Sequence, residues 1–230
     1  MRKTAFTLSE VLITIGIVGI VAAMTIPLLS ANVANKGKIS ALRKAQSIMN
    51  QTIKISSAEN GDFLGWNASL SYKDYIKQYI APYIKITNYC ETPQKCGYKG
   101  SETWTRYNKN PSYGGFNYSG RIPIITTEGI LYSIILSGSN NIASETDIIY
   151  DTNMINKLGI FVDVNASAGP NRFGNDVFVL IRTIDGTVMP LGYNLTQNEI
   201  DQDCSKNGLC LYCAEKLRRN NWKSTTDYPW

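Results

Sequence analysis

The N-terminal stretch of this chain constrains it more than any other feature. Met1–Ala5 is short and basic, with Arg2 and Lys3. The 24 residues from Phe6 to Leu29 then carry one charge, Glu10, and none from Val11 onward. As a helix such a run is about 36 Å long, enough to cross a hydrocarbon core of about 30 Å. A secretory signal cut after Ala23 or Ala31 is the competing reading. The run, however, exceeds the roughly 7–15 apolar residues of such a signal. A carboxylate inside an apolar span is also costly, and by default marks function.

Composition narrows the function classes. The chain has 230 residues, 43% of them hydrophobic, and no histidine. Ser-His-Asp and Cys-His catalysis, histidine proton shuttles and histidine-ligated metals are therefore excluded. The carboxylates are sparse and scattered, and no nucleophile–base pair stands out. No enzymatic activity is expected. A net charge of +5 is mild for this length and does not call for nucleic acid.

The segment Ala5-Phe6-Thr7-Leu8-Ser9-Glu10-Val11-Leu12-Ile13 resembles the class III signal of type IV pilins and type II secretion pseudopilins. That family usually has Gly before the cut and an aliphatic residue where Ser9 stands; Ala5 and Ser9 are departures. The resemblance implies cleavage between Ala5 and Phe6 by a prepilin peptidase, followed by N-methylation of Phe6. It implies that Glu10 and Pro27 serve assembly, Pro27 standing where pilins often carry a helix-kinking proline. It further implies a bacterial inner-membrane protein with an extracytoplasmic head, handled by an inner-membrane assembly platform. Fibre partners would be further copies or other pilin-like subunits.

Physical logic supports that role for Glu10. The Phe6 amine and the Glu10 carboxylate lie about one helical turn apart. In a staggered helical bundle, Glu10 of one subunit can neutralise the Phe6 amine of its neighbour and so set the register. Gly16, Gly19, Ala22 and Ala23 would let such helices approach closely. Basic residues are more numerous just after the span (Lys36, Lys38, Arg43, Lys44) than before it, which by itself favours a cytoplasmic C-terminus. The resemblance and the cysteines point the other way, and outweigh it here.

The expected fold is α+β, with a long N-terminal helix packed on an antiparallel sheet. Residues 1–5 are a leader and 6–29 a transmembrane and assembly helix; 30–57 is an amphipathic continuation and 58–230 a globular head. Ile39, Leu42, Met49 and Ile53 form the apolar stripe of that continuation. Glu59–Asp62 is a turn that ends it. A short helix is expected within 70–86, limited by Pro82, and an irregular excursion over 89–120. Strands are expected at 122–126, 130–136, 158–164, 176–183 and 187–191. Thr127–Gly129 and Asp185-Gly186 supply hairpin turns.

Five cysteines lie beyond the apolar run, at Cys90, Cys96, Cys204, Cys210 and Cys213. An extracytoplasmic head makes disulfides plausible. Cys90 and Cys96 would close a short loop, and Cys204 could pair with Cys210 or Cys213, leaving one thiol. Zinc held by Cys210-Leu-Tyr-Cys213 with further cysteines is a weaker alternative. The loop from Asp163 to Asp176 is rich in side-chain oxygen, and Asp163, Asn165 and Asp176 could hold Ca²⁺ with carbonyls. A plain Asx- and Gly-stabilised turn is the favoured alternative. Trp104-Thr-Arg-Tyr-Asn-Lys109 could stack single-stranded DNA, as in a DNA-binding minor pilin. A core role for those aromatics is favoured. A secreted or membrane-tethered protein of another kind is the remaining alternative.

Overall fold

The computed structural model describes residues 7–67, 69–99, 104–107, 122–136 and 158–230. Ala5 and Phe6 lie outside them, as do Asn108, Lys109 and most of the irregular excursion. The architecture is α+β, with one long helix, α1 (Leu8–Asn60), and a six-stranded antiparallel sheet. The chain divides into two compact units, Met1–Gly37 and Lys38–Trp230.

In the first unit α1 begins at a cap that the sequence spells as Thr-x-x-Glu. The Glu10 carboxylate accepts from the Thr7 backbone N–H and hydroxyl at 2.8 Å. The Thr7 hydroxyl accepts in turn from the Glu10 N–H at 3.2 Å. This is a reciprocal capping box, and it satisfies helix N–H groups that have no carbonyl partner. The helix runs on through Pro27 without a break.

In the second unit the stripe Leu42, Ala45, Met49 and Ile53 is buried. No glycine or proline interrupts α1 from residue 38 to residue 60, so nothing local stops it at 57 as expected. It ends at Asn60, whose side chain donates back to the Ser56 carbonyl at 3.1 Å. Gly61 follows at φ +81°, the left-handed conformation that closes helix ends. The next helix, α2 (Tyr72–Tyr79), is capped by Ser71. The chain then turns through a 3₁₀ segment, Ala81–Tyr83, that contains Pro82.

The strands are β1 (Ile86–Tyr89), β2 (Ile124–Thr126), β3 (Leu131–Leu136), β4 (Leu158–Asp163), β5 (Val177–Arg182) and β6 (Val188–Pro190), paired in sequence order. β1 corrects the expected loop boundary at residue 89. It is four residues long, mostly exposed, and exists by pairing with β2 across the intervening excursion; no local pattern announces such a strand. The two hairpins form at the predicted turns. Gly186 of the second has φ +82°, and a Cβ there would stand 2.8 Å from the Phe63 ring. Glycine is thus required there twice, for conformation and for room.

The central strands of the sheet are buried on both faces. Tyr132, Ile134, Ile160, Val162, Phe178 and Leu180 meet the α1 stripe in one core. Leu131, Phe161, Val177, Val179 and Ile181 enter a second core with all five cysteines and the C-terminal region. The latter includes Ile200 of α3 (Gln197–Asp203) and Cys213, the first residue of α4 (Cys213–Arg219). Alternate residues along a strand point to opposite faces. Central strands covered twice therefore read as continuous apolar runs, as β5 does.

α1 also closes one edge of the sheet. Asn50 Oδ1 accepts from the Val188 N–H at 2.7 Å, and its Nδ2 donates to the Val188 carbonyl at 3.0 Å. Gln46 donates to the same carbonyl at 2.8 Å. Backbone groups of the β6 edge are thereby occupied, which blocks strand addition there. Asn50→Ala should destabilise the protein by about 1–3 kcal/mol, because it leaves these groups short of partners. Ser47→Ala, at an exposed position of the same helix, should stay within about 0.5 kcal/mol. Denaturant titration of the two variants checks the difference.

Candidate functional site

Two regions hold the residues that the sequence singles out, the N-terminal helix and the oxygen-rich loop. In the first, Leu8–Ile26 is a 19-residue span with mean hydropathy 2.1 and none of it buried. Among the described residues this is the one helix long and apolar enough to cross a membrane. Glu10 is its only charged residue, and its carboxylate caps the helix start as described. Sequence reasoning gave Glu10 a single role, toward a neighbour's amine, and missed the cap. The Thr7-x-x-Glu10 spacing was the signal that could have revealed it. The expected processing pair Ala5–Phe6 lies outside the described residues. Pro27 is placed within α1.

The second region joins β4 to β5. Asp163, the last residue of β4, is fully buried. Its Oδ2 accepts from the Tyr98 hydroxyl at 2.8 Å and from the Trp104 indole N–H at 3.0 Å. Its Oδ1 accepts from the Asn165 N–H at 3.4 Å. Asp176 is fully buried too, and accepts from the Arg172 and Asn171 N–H groups at 2.7 and 3.0 Å. The Asp176 carbonyl accepts from the Val164 N–H at 2.9 Å, joining the two ends of the loop. Asn165 donates its Nδ2 to the Gly169 carbonyl at 2.8 Å, while its Oδ1 is buried without a partner. Asn171 Oδ1 is buried and unpartnered as well.

Burial pushes the Asp163 carboxyl well above the usual carboxylate range, and the charge of nearby Asp176 pushes it further. Burial raises Asp176 as well, against the opposing pull of the two backbone N–H groups and Lys38. Lys38 itself donates to Asn175, beside Asp176. No ammonium or guanidinium group pairs directly with either carboxylate within 4 Å among the described residues. Nor do three His, Cys, Asp or Glu side chains come together among them as a metal cluster. Asp163, Asn165 and Asp176 are nonetheless brought into one polar cluster. Tyr98 and Trp104, which sequence reasoning did not connect with it, complete the cluster. They stand 65 and 59 residues from Asp163, too far for any local pattern.

The aromatic segment considered for DNA stacking is occupied otherwise. Trp104 is fully buried, its ring 5.7 Å from Phe161 and 6.2 Å from Phe173. Tyr107 packs against Trp230, the rings tilted by 50° with centroids 4.5 Å apart. A ring enclosed like Trp104 has no free face for a base.

The cysteines form two disulfides, Cys90–Cys96 and Cys204–Cys213. Cys210 remains a buried thiol. Cys213 is committed to Cys204, so the CxxC pair neither bridges itself nor offers two thiolates to zinc. Burial pushes the Cys210 thiol up to about 12, with the Asp203 charge adding to it, so at neutral pH it is chemically silent. Gly174 packs against this cluster: a Cβ there would lie 2.8 Å from Cys213 Sγ and 3.1 Å from Cys210 Cβ. The loop and the second disulfide are thus in contact. Compared with protein-family models, with curated proteins and with solved structures, the chain gives no match in any of the three.

Asp203 gives the region a testable pH signature. Its carboxylate accepts the Tyr212 N–H at 2.7 Å, yet burial raises it to about 6 from an ordinary value of 3.8. A raised carboxyl favours the protonated form in the fold. Its contribution is therefore fully present below about pH 4 and is lost as pH rises toward about 6. Asp203→Asn, which keeps an acceptor without the charge, should flatten the melting-temperature profile of the full chain over that window. A profile unchanged by the substitution would show that Asp203 does not govern it.

Proposed function

We propose that this chain is a structural subunit of a type IV pilus-like or type II secretion pseudopilus fibre. In this reading it is a prepilin, cleaved before Phe6 and N-methylated by a prepilin peptidase. The observation that carries the proposal is the N-terminal signal continuing directly into a fully exposed apolar helix whose one charge is Glu10. An apolar helix with no covering partner needs either lipid or other helices around it. A fibre subunit uses both in turn: the inner membrane before assembly, the bundle of neighbouring helices afterward. The α+β organisation and the two disulfides are consistent with an extracytoplasmic head.

Within that role the Thr7–Glu10 cap holds the carboxylate at the helix start. Removal of the leader would leave the new amine on the residue before Thr7. The carboxylate would then be available to a neighbour's amine as the subunits stagger. The mature N-terminus, read by mass spectrometry of protein from native membranes, tests the proposal. A chain beginning at N-methylated Phe6 is the expected outcome. A chain beginning after Ala23 or Ala31 overturns it.

We further propose that the loop takes Ca²⁺ through Asp163, Asn165 and Asp176. The observation favouring this is the pair of buried amide oxygens without partners beside two buried carboxylates. The donor types are those of a hard cation, and the ion would neutralise both carboxylates and hold the two ends of the loop together. Millimolar Ca²⁺ should raise the melting temperature of the full chain at neutral pH. The increase should disappear in Asp176→Asn. An unmoved melting temperature, with no heat of binding, would leave the loop as a hydrogen-bonded turn.

A further inference from the structure

The loop between β4 and β5 is held at both ends by segments that a disulfide closes. At the β4 end the segment is the Cys90–Cys96 ring. Gly97 and Tyr98 follow that ring directly. Their N–H groups donate back into it, to the carbonyls of Gln94 at 3.0 Å and Pro93 at 3.1 Å. Tyr98, fixed in this way, donates its hydroxyl to Asp163 at 2.8 Å. Gly97 lies so near the loop that a Cβ there would stand 2.5 Å from Ser167 Oγ.

At the β5 end the holding segments are the Cys204–Cys213 ring and residues 228–230. A Cβ on Gly174 would stand 2.8 Å from Cys213 Sγ. The Tyr228 hydroxyl donates to the Gly174 carbonyl at 2.6 Å, and the Trp230 indole N–H to the Phe173 carbonyl at 3.1 Å. Arg172 lies over the Trp230 ring at 5.6 Å. The same short stretch supplies the Asn171 and Arg172 N–H groups that Asp176 accepts. Both disulfides therefore converge on the one loop that encloses two carboxylates.

We infer that the two disulfides set the cation affinity of this loop. Closed, they hold Asp163, Asn165 and Asp176 in the arrangement that takes Ca²⁺; open, they release it. The inference rests on the calcium reading of the loop and adds its regulation by thiol oxidation.

Two like charges enclosed together repel, so the loop opens when what holds it loosens. Ordering it again is a cost that an arriving ion must then meet. With both rings closed, that ordering is completed at folding and the ion finds its oxygens in place. Each ring forms by thiol–disulfide exchange: two cysteine thiols pass two electrons and two protons to a disulfide oxidant, which leaves as two thiols. Calcium capture thus follows oxidation. By linkage, bound calcium makes the rings harder to reduce by the same factor.

Calorimetric titration of the full chain with CaCl₂ at neutral pH tests this. It is run on the oxidised chain and on chain treated with dithiothreitol, which reduces each disulfide to two thiols and closes to its own cyclic disulfide. Reduction should weaken binding roughly tenfold or more, the scale on which groups supporting metal ligands act. Tyr228→Phe loosens the hold on Gly174 with both disulfides intact, and should weaken binding about tenfold as well. A purely structural role for Tyr228 would lower the calcium-free melting temperature and leave the affinity unchanged. An oxidised chain that takes no Ca²⁺ overturns both the calcium reading and this inference. Binding that is equal in oxidised, reduced and Tyr228→Phe chains overturns this inference alone. Where near-ultraviolet circular dichroism shows that reduction unfolds the chain, Tyr228→Phe decides, and an unchanged affinity overturns the inference.

Discussion

Burial of the central strands on both faces is the constraint on which the rest of residues 38–230 depends. A strand covered twice is apolar at nearly every position; β5 is buried throughout and departs from this only at Arg182. One cover is the stripe of α1, with Leu42, Ala45, Met49 and Ile53 fully or almost fully enclosed. The other includes the C-terminal region after β6, whose regular structure is two short helices. Its helices α3 and α4 have seven residues each, too few to be stable alone. They are held by other means: the Cys204–Cys213 disulfide, a capping box at Thr196, and a buried Glu215 that both Arg218 and Arg219 engage at 2.7 Å.

Some charged groups taken into this interior are held by specific contacts. Arg182, nearly buried, lies over the ring of Phe63 at 4.2 Å and near Trp66 at 5.5 Å, a cation–π arrangement suited to a desolvated guanidinium. Lys216 pairs with Asp201 and Asp227. The loop between β4 and β5 differs. It encloses two carboxylates that repel each other and two amide oxygens that accept nothing. Such a cluster is stabilised by a proton or by a cation, because buried like charges are otherwise too costly. That is the physical ground for testing calcium there.

α1 serves two environments with two patterns. Its first part is apolar on all sides, and a helix of that kind is at home only in lipid or among other helices. Its later part confines apolar residues to one stripe and leaves basic residues in solvent.

The sequence by itself determined the local elements. The apolar N-terminal run, the stripe of α1 and the stop at Pro82 all act within a few residues, as do the hairpin turns at Thr127–Gly129 and Asp185-Gly186. Their periodicity and turn chemistry are therefore legible without a fold. The α+β class followed from their order. Tertiary structure alone decided what depends on contacts distant in sequence. It made Ile86–Tyr89 a strand, because β2 lies beside it. It chose Cys213 over Cys210 as the partner of Cys204, because spacing permits both pairings and packing permits one. It buried Trp104 against Asp163, turning a possible base-stacking ring into a hydrogen-bond donor. Each of these rests on the direction in which a side chain points once the sheet has formed, and a linear pattern fixes that direction only within its own element.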